Sequence, residues 1–486
     1  MGLLYDRIEP VDERDIELVV GLEQYRRDRR RNVARRFFRV LVSVSVALAL
    51  VHAYVVPLNK LVPTPSCREV AASSEDINTA EYNDSIMFDF EEGEELKCYT
   101  AEDTEPVDGH HPNGNIHSWA KYPTAELDSD ALFFFAKSEK EDGHHHHHPS
   151  KFTAGSILFE ASDEVDKVTV QTVVGYDHHI FAKICTFKRE DGSLGVGVVV
   201  PKHDHDDHDH DHDHDHDTHH PHHPHRGDHR ANHIELTVTF PIAKDGPRQF
   251  KSLDTRLPLY RHSITDIGAK VEFDTVTLRG TNSPIHAESF TASTLNLQTS
   301  NSPINGNYNG TNSLSIRTAN APIGVQISFT TTLKDDEEKP ARLELVTANA
   351  RIEASIDLAA AGDAKAGVYD VFTHTANAPL LLTFNSAPAG SKLLLDGKTV
   401  NSAIDVTLDP TYEGTFDAHT VWSKVNFNAR DKPEDPAGRE RKRTVNVREI
   451  GKTGFTGEVF WGDKSDETPE GEVKLATALG SISLTV

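Results

Sequence analysis

The sequence predicts a mainly β protein: a parallel β-solenoid or β-helix-like repeat domain, a β-rich region before it, and one N-terminal transmembrane α-helix. Three observations carry that expectation. A five-residue pattern (small residue, Asn, small residue, Pro, Ile) recurs through the second half of the chain. Runs of β-branched and aromatic residues with period-two alternation occupy residues 131–245. One long apolar stretch near the N-terminus directly follows a block of arginines.

That stretch, Val40 to Leu58, is 19 residues without an acid, Lys or Arg. At about 1.5 Å per residue it spans roughly 28 Å as a helix, close to the hydrocarbon thickness of a bilayer. Arg26, Arg27, Arg29, Arg30, Arg31, Arg35, Arg36 and Arg39 precede it, and only Lys60 and Arg68 follow closely. The positive-inside rule makes residues 1–39 a cytosolic basic tail and residues 40–58 a signal-anchor of type II topology. Residues 59–486 are then extracellular or lumenal in the secretory pathway. A cleaved signal peptide fits less well, because its charged region would be 39 residues long.

Residues 59–130 are acidic and rich in Pro and Ser, and read as a stalk or linker. Strand-like runs then begin at Ala131–Ala136 and continue through Gly155–Phe159, Val168–Val174, Ile180–Ile184, Val196–Val200 and Ile234–Phe240. Residues 131–245 are read as a β-rich region interrupted by a histidine-rich loop at 203–233, and residues 246–486 as the repeat domain.

The repeat turns centre on Asn282, Asn301, Asn320, Asn349 and Asn377, spaced 19, 19, 29 and 28 residues apart. A diverged copy, Thr477-Ala-Leu-Gly-Ser-Ile482, stands near the C-terminus. Each asparagine follows a short alternating strand, as in Leu295-Asn-Leu297 and Leu314-Ser-Ile316. Leucines pack inward, Asn tolerates the turn backbone, Pro fixes the following residue and Ile re-enters the core. Stacking such coils aligns the asparagines so that they hydrogen-bond along the stack. The pattern resembles the adhesin-like domains of unknown function found in bacterial and fungal surface proteins. Their rung ends in Thr/Ser-x-x-Gly-x-Ile, a form nearest to Leu479-Gly-Ser-Ile482 here. The resemblance covers about residues 270–385 and the extreme C-terminus. It implies a β-solenoid at or near a cell surface with an adhesive or structural role, and it brings no catalytic residues.

The three cysteines, Cys67, Cys98 and Cys185, all fall on the outer side, where disulfides form. Three cysteines allow one bridge and leave one over; Cys67 and Cys98, the nearest pair in sequence, are the candidate pair. Asn83 and Asn309 begin glycosylation sequons.

Residues 203–233 hold 14 of the 29 histidines. Metal-ligand candidates are His203, His205, His208, His210, His212, His214, His216, His219, His220, His222, His223 and His225. Neutral imidazole suits Zn, Cu or Ni, and the alternating aspartates add oxygen ligands. A flexible tract offers many nearly equal ligand sets, so the affinity expected is low. No cofactor is required by anything in the sequence. Protonating every histidine would carry the formal charge from −26 to +3.

A balance of 50 basic to 76 acidic residues argues against nucleic acid as a partner. Catalytic signatures are missing: there is no H-E-x-x-H, no G-x-S-x-G, no P-loop and no dinucleotide fingerprint. A polysaccharide-cleaving β-helix enzyme would need convergent carboxylates. Only scattered acids such as Glu288 and Glu353 stand near the repeat turns. The functional expectation is therefore a non-enzymatic, membrane-anchored protein in adhesion, scaffolding or recognition of surface components, wall components or other proteins. The alternative is a membrane-tethered buffer or sensor of zinc or copper acting through the His/Asp-rich loop.

Overall fold

A computed structural model describes residues 92–107, 118–138, 153–176, 179–180, 182–200, 232–331, 340–361, 366–430, 433–463 and 471–486. The basic tail, the expected anchor at 40–58, Cys67, Asn83 and the twelve candidate metal-ligand histidines lie outside these residues. Among the described residues, no helix is long and apolar enough to cross a membrane.

The strands begin with β1 (Glu94–Tyr99), β2 (Glu105–Pro106), β3 (Ser118–Lys121), β4 (Ala125–Leu127) and β5 (Ala131–Ser138). Next come β6 (Ala154–Ser162), β7 (Val168–Tyr176), β8 (Lys183–Lys188), β9 (Leu194–Val200) and β10 (His233–Pro241). They continue with β11 (Arg248–Arg256), β12 (Tyr260–Asp266), β13 (Val271–Arg279), β14 (Ile285–Gln298), β15 (Ile304–Arg317) and β16 (Ile323–Thr331). After these stand β17 (Ala341–Val346), β18 (Ile352–Ala360), β19 (Val368–His374), β20 (Leu380–Ser386), β21 (Lys392–Lys398) and β22 (Ile404–Thr407). The last are β23 (Gly414–Thr420), β24 (Val425–Asn428), β25 (Arg443–Ile450), β26 (Gly454–Trp461), β27 (Gly471–Thr477) and β28 (Ile482–Thr485).

These strands form two largely parallel ladders, a solenoid-like arrangement in which the chain alternates between them. Ladder A runs β5, β11, β13, the second half of β14, the second half of β15, β17, β19, β21, β27, β23. Ladder B runs β6, β12, the first half of β14, the first half of β15, β16, β18, β20, β22, β28, β24. β10 beyond β6 and β9 beside β5 continue the ladders in parallel, and antiparallel strands then extend them: β7 on β10, β8 on β9, and β26 with β25 beyond β23.

Period-two alternation drives one set of side chains between the ladders. From ladder B the inward column reads Ile285, Ile304, Ile323, Ile352, Leu380, Ile404, Ile482, each with no more than 1% of its surface exposed. This is the terminal Ile of the repeat pattern. Facing it from ladder A stand Val276, Leu295, Leu314, Leu343, Val371, Leu395 and Val473, all buried. Burying one such side chain contributes about 1.5–3 kcal/mol. A register slip of one residue would turn a whole column to solvent, which is why the alternation fixes the fold.

Three sequence expectations are corrected. The stretch 59–130 is not simply a stalk: β3 and β4 pair with β7, and Trp119, Ala120, Tyr122 and Leu127 are buried in the body. The apolar residues come in strands of only three or four, between acids and prolines, too short for a periodic signal. The boundary between 131–245 and 246–486 also dissolves, because β11 pairs with β5 and β12 with β6. One apolar cluster runs from Ala120 to Val486. Finally, the bridge is Cys98–Cys185. The two cysteines stand directly opposite in the β1–β8 register, with Cα atoms 4.0 Å apart. Strand register, not sequence distance, chooses the pair, and Cys67 is left over.

Candidate functional site

The turn from ladder A to ladder B is where the repeat pattern lies. Asn301, Asn320, Asn349 and Asn377 each donate from Nδ2 to Oδ1 of the preceding turn asparagine, at 2.6–2.8 Å, beginning at Asn282. The five asparagines thus form the stacked amide row that their spacing predicts. They are exposed, not buried. Beneath them run buried threonines, which the pattern reading passed over. Thr347, with no exposed surface, donates to the Ala321 carbonyl at 3.3 Å, and Thr477 donates to the Ser402 carbonyl at 3.0 Å.

A further turn, Thr399-Val-Asn401-Ser-Ala-Ile404, continues the row: Asn401 Nδ2 donates to Asn377 Oδ1 at 2.6 Å. Val400 and Ala403 replace the small residue and the proline there, which hid the copy. Beyond Asn401 the position is taken by Leu479 and then by Trp422, whose backbone N–H donates to the Ala478 carbonyl at 3.1 Å. The diverged copy at 477–482 therefore lies inside the stack. The chain builds the coil of β23 and β24 first and then returns to fill the rung beneath it with β27 and β28. Gly480 is required in that turn, since a Cβ would stand 1.6 Å from the Ser402 carbonyl oxygen.

The two outer faces differ. On ladder A, Arg279, Arg317, Arg342, Asp370, Lys398 and Lys474 point outward among acids, with ion pairs Arg317–Glu344 at 2.7 Å and Lys398–Asp396 at 2.8 Å. A cleft of about 500 Å³ lies between β23, β25, β26 and β27. Within it Lys474 meets Glu472 at 2.7 Å, and Asn446 donates to Glu458 at 3.1 Å. On ladder B, the strand segments from Ile285 to Asn428 carry no Lys or Arg. Their outward positions include Asn307, Gln326, Ser355, Thr383, Thr407 and Asn426, with Glu353, Asp357 and Asp405 as acids. Rungs about 4.8 Å apart place these amides and hydroxyls in rows. Glu288 and Glu353 stand three rungs apart, about 14 Å, beyond the roughly 6.5–9.5 Å of an acid–base carboxylate pair.

The remaining site residues fall as follows. Asn309 lies half-buried in mid-strand, with its amide nitrogen donating to Thr291 Oγ1 at 3.0 Å. A glycan would have to be attached at that same nitrogen. Among the described residues, Glu95, Cys98 and Cys185 place a carboxylate and two sulfurs within 4.8 Å of one another. The sulfurs are joined in the disulfide and unavailable as thiolate ligands. His262 is the one ring in the isoleucine column, between Ile157 and Ile285. Its nitrogens meet Thr255 Oγ1 at 2.9 Å and the Tyr260 carbonyl at 3.0 Å, and burial pushes the imidazole down to about 4.

No family model matches the chain, and no curated protein matches it. Among solved structures, similarity is found to a candidate cell adhesion protein from Clostridium sporogenes, at 7% identity, over 75% of this chain and 98% of that one. Its TM-score of 0.14 carries no argument about fold or function.

Proposed function

We propose that this chain is a membrane-anchored β-solenoid that works outside the cytosol in adhesion, scaffolding or recognition, and that it catalyses no reaction. The membrane is its integral partner. Its outer partners are uncharged, hydroxyl-rich surface or wall polymers that lie across ladder B. The observation that carries this reading is that the strand segments of that ladder from Ile285 to Asn428 contain no Lys or Arg; Arg351, just before β18, is paired with Glu353 at 3.3 Å. Amides and hydroxyls in rows both donate and accept, as sugar hydroxyls require. Asp357 and Asp405 repel anionic polymers, so nucleic acid is disfavoured. The Cys98–Cys185 bridge supports an oxidising compartment.

Ser355 and Thr383 are direct neighbours on adjacent rungs of this face. Replacing both with Arg should abolish attachment of cells displaying the protein to a neutral polysaccharide surface. Arg at Thr277, outward on ladder A, should leave attachment intact. Equal attachment by all three proteins would refute the assignment of the face.

The second reading, a zinc or copper buffer, acts through the histidine-rich loop. The strands around it, β9 and β10, are each paired on both sides. Deleting residues 203–229 should therefore leave the fold intact and isolate the loop's contribution. Loss of metal tolerance with unchanged attachment would favour this reading over adhesion.

A further inference from the structure

We propose that the corner where the last two coils turn is a lipid-docking tip, which seats Trp422, Val421, Leu479 and Ile450 in the interfacial layer of a phospholipid bilayer. The exposures are 72% for Trp422, 56% for Ile450, 53% for Leu479 and 44% for Val421. These are four of the seven large hydrophobic side chains that stand exposed among the described residues, and the backbone brings them to one place. Trp422 N–H donates to the Ala478 carbonyl, next to Leu479, and Thr420 N–H donates at 2.8 Å to the Thr453 carbonyl in the β25–β26 turn that follows Ile450.

The fold does not demand these residues. Earlier coils place exposed asparagines at the same turn position, from Asn282 to Asn401, and those serve the stack through their amides. Leu479 and Trp422 end the amide row and gain little burial in return. Their surface remains available to something outside the chain.

The charges around the tip name the partner. In a protein of net charge −26, the turns 399–403, 420–424, 450–453 and 477–481 contain no acid. They contain Lys424 and Lys452, both exposed. Trp at the headgroup level, aliphatic side chains below it and lysines reaching to lipid phosphates is the arrangement of an interfacial anchor. A second copy docked tip to tip would oppose Lys424 and Lys452 to themselves, with only Glu449, beside Ile450, bordering these turns as a carboxylate. The surface is also made of protruding turns, which suits a deformable layer better than a preformed groove. The inference goes beyond the adhesive reading and rests on it only for the bilayer being nearby.

Tryptophan fluorescence tests this in the full chain. Of the three tryptophans, Trp119 and Trp461 are 3% and 4% exposed, so Trp422 is the one a lipid quencher can reach. The protein is reconstituted into vesicles of brominated phosphatidylcholine with and without about 30% phosphatidylserine, a composition giving a negative surface potential. Quenching and a blue shift are expected with both compositions, stronger with phosphatidylserine, several-fold weaker with Lys424→Glu and Lys452→Glu, and lost in Trp422→Phe. Leu479→Asn, which restores the residue type of the earlier turns, should weaken the quenching while leaving the fold intact. Protein that floats with the vesicles but keeps unquenched emission overturns the tip and leaves the anchor standing. Protein that does not float overturns both. A blue shift that depends on protein concentration and not on lipid assigns the tip to a second copy and overturns the proposal.

Discussion

Asn401 Nδ2 donates to Asn377 Oδ1 at 2.6 Å, extending the exposed amide row one coil beyond the last copy that the repeat pattern reveals. Every donor in the row points the same way, so each interior asparagine gives one hydrogen bond and receives one. Asn320 gives to Asn301 at 2.8 Å and receives from Asn349 at 2.7 Å. Because these amides compete with water, their loss should cost less than a buried rung. Asn320→Leu is expected to lower stability by about 1 kcal/mol. Thr347→Val, which removes the donor to the Ala321 carbonyl with nearly unchanged shape, should cost about 1–3 kcal/mol. Urea denaturation of both variants checks the order; a larger loss for Asn320→Leu would mean that the amide row, and not the threonines, holds the turns.

The disulfide gives a second prediction. Cys98 and Cys185 are 87 residues apart and join β1 to β8. Non-reducing peptide mapping should recover this pair with Cys67 free. Cys185→Ser should destabilise the protein by about 2–4 kcal/mol. The exposed strand β1 should then exchange its amide hydrogens far faster, while Ile304 and Ile323 in ladder B stay protected. Recovery of a Cys67–Cys98 peptide would contradict the register.

What the sequence made legible follows from what repeats strictly. The Ile column, the leucine strands before each asparagine and the amide row were all readable, because alternation and a fixed Asn-to-Ile offset encode them locally. Asn401 was missed because its turn departs from the pattern at two positions: Val400 stands where the others have Thr, Ser or Ala, and Ala403 stands in the place of Pro. Thr299, Thr347 and their equivalents were passed over because a buried hydroxyl looks like any strand threonine in sequence. The order of the last rungs was unreadable for a deeper reason. Coils that share one register are interchangeable in pattern, so nothing at 477–482 says that this rung lies between 399–404 and 420–425. The exposed corner at Trp422 was missed likewise, since its residues come from three separated turns.

The inserted rung makes a third prediction. β27 pairs with β21 on one side and β23 on the other, and β28 lies between β22 and β24. Ending the chain at residue 470 would leave two coils facing an empty rung. The cap, closed by Phe416, Phe427 and Phe455 with ring centroids 5.1–5.8 Å apart, should then come loose. Within the intact chain, Ile482→Ala should cost about 2–5 kcal/mol, as for any fully buried aliphatic. Leu479→Ala, exposed on the same rung, should change stability by less than about 0.5 kcal/mol. Limited proteolysis of the truncated chain should cut first between residues 408 and 463; an unchanged digestion pattern would mean that the cap holds without the C-terminal rung.

The fourth prediction concerns pH and His262. The ring has no exposed surface, and burial holds it neutral with a folded pKa of about 4. An unfolded histidine titrates near 6.5. Between these values the unfolded chain binds the proton and the folded chain does not, so stability falls as pH falls through that window. The contribution is fully present above about pH 6.5 and should be reduced by about 2 kcal/mol at pH 5, taking about 1.4 kcal/mol per pH unit across the window. His374 acts in the same direction: burial first, and Lys398 second, lower its pKa, while Asp396 opposes them. His262→Ile matches the isoleucines above and below it in the column, at the cost of the hydrogen bond from Thr255. That variant should lose most of the pH slope between 6.5 and 5 whatever its stability at pH 7. Guanidinium unfolding at both pH values gives the slope directly. If His262→Ile keeps the full wild-type slope, the acid sensitivity belongs to other groups, and His374→Phe becomes the variant to measure, because it removes the second buried imidazole from the same window.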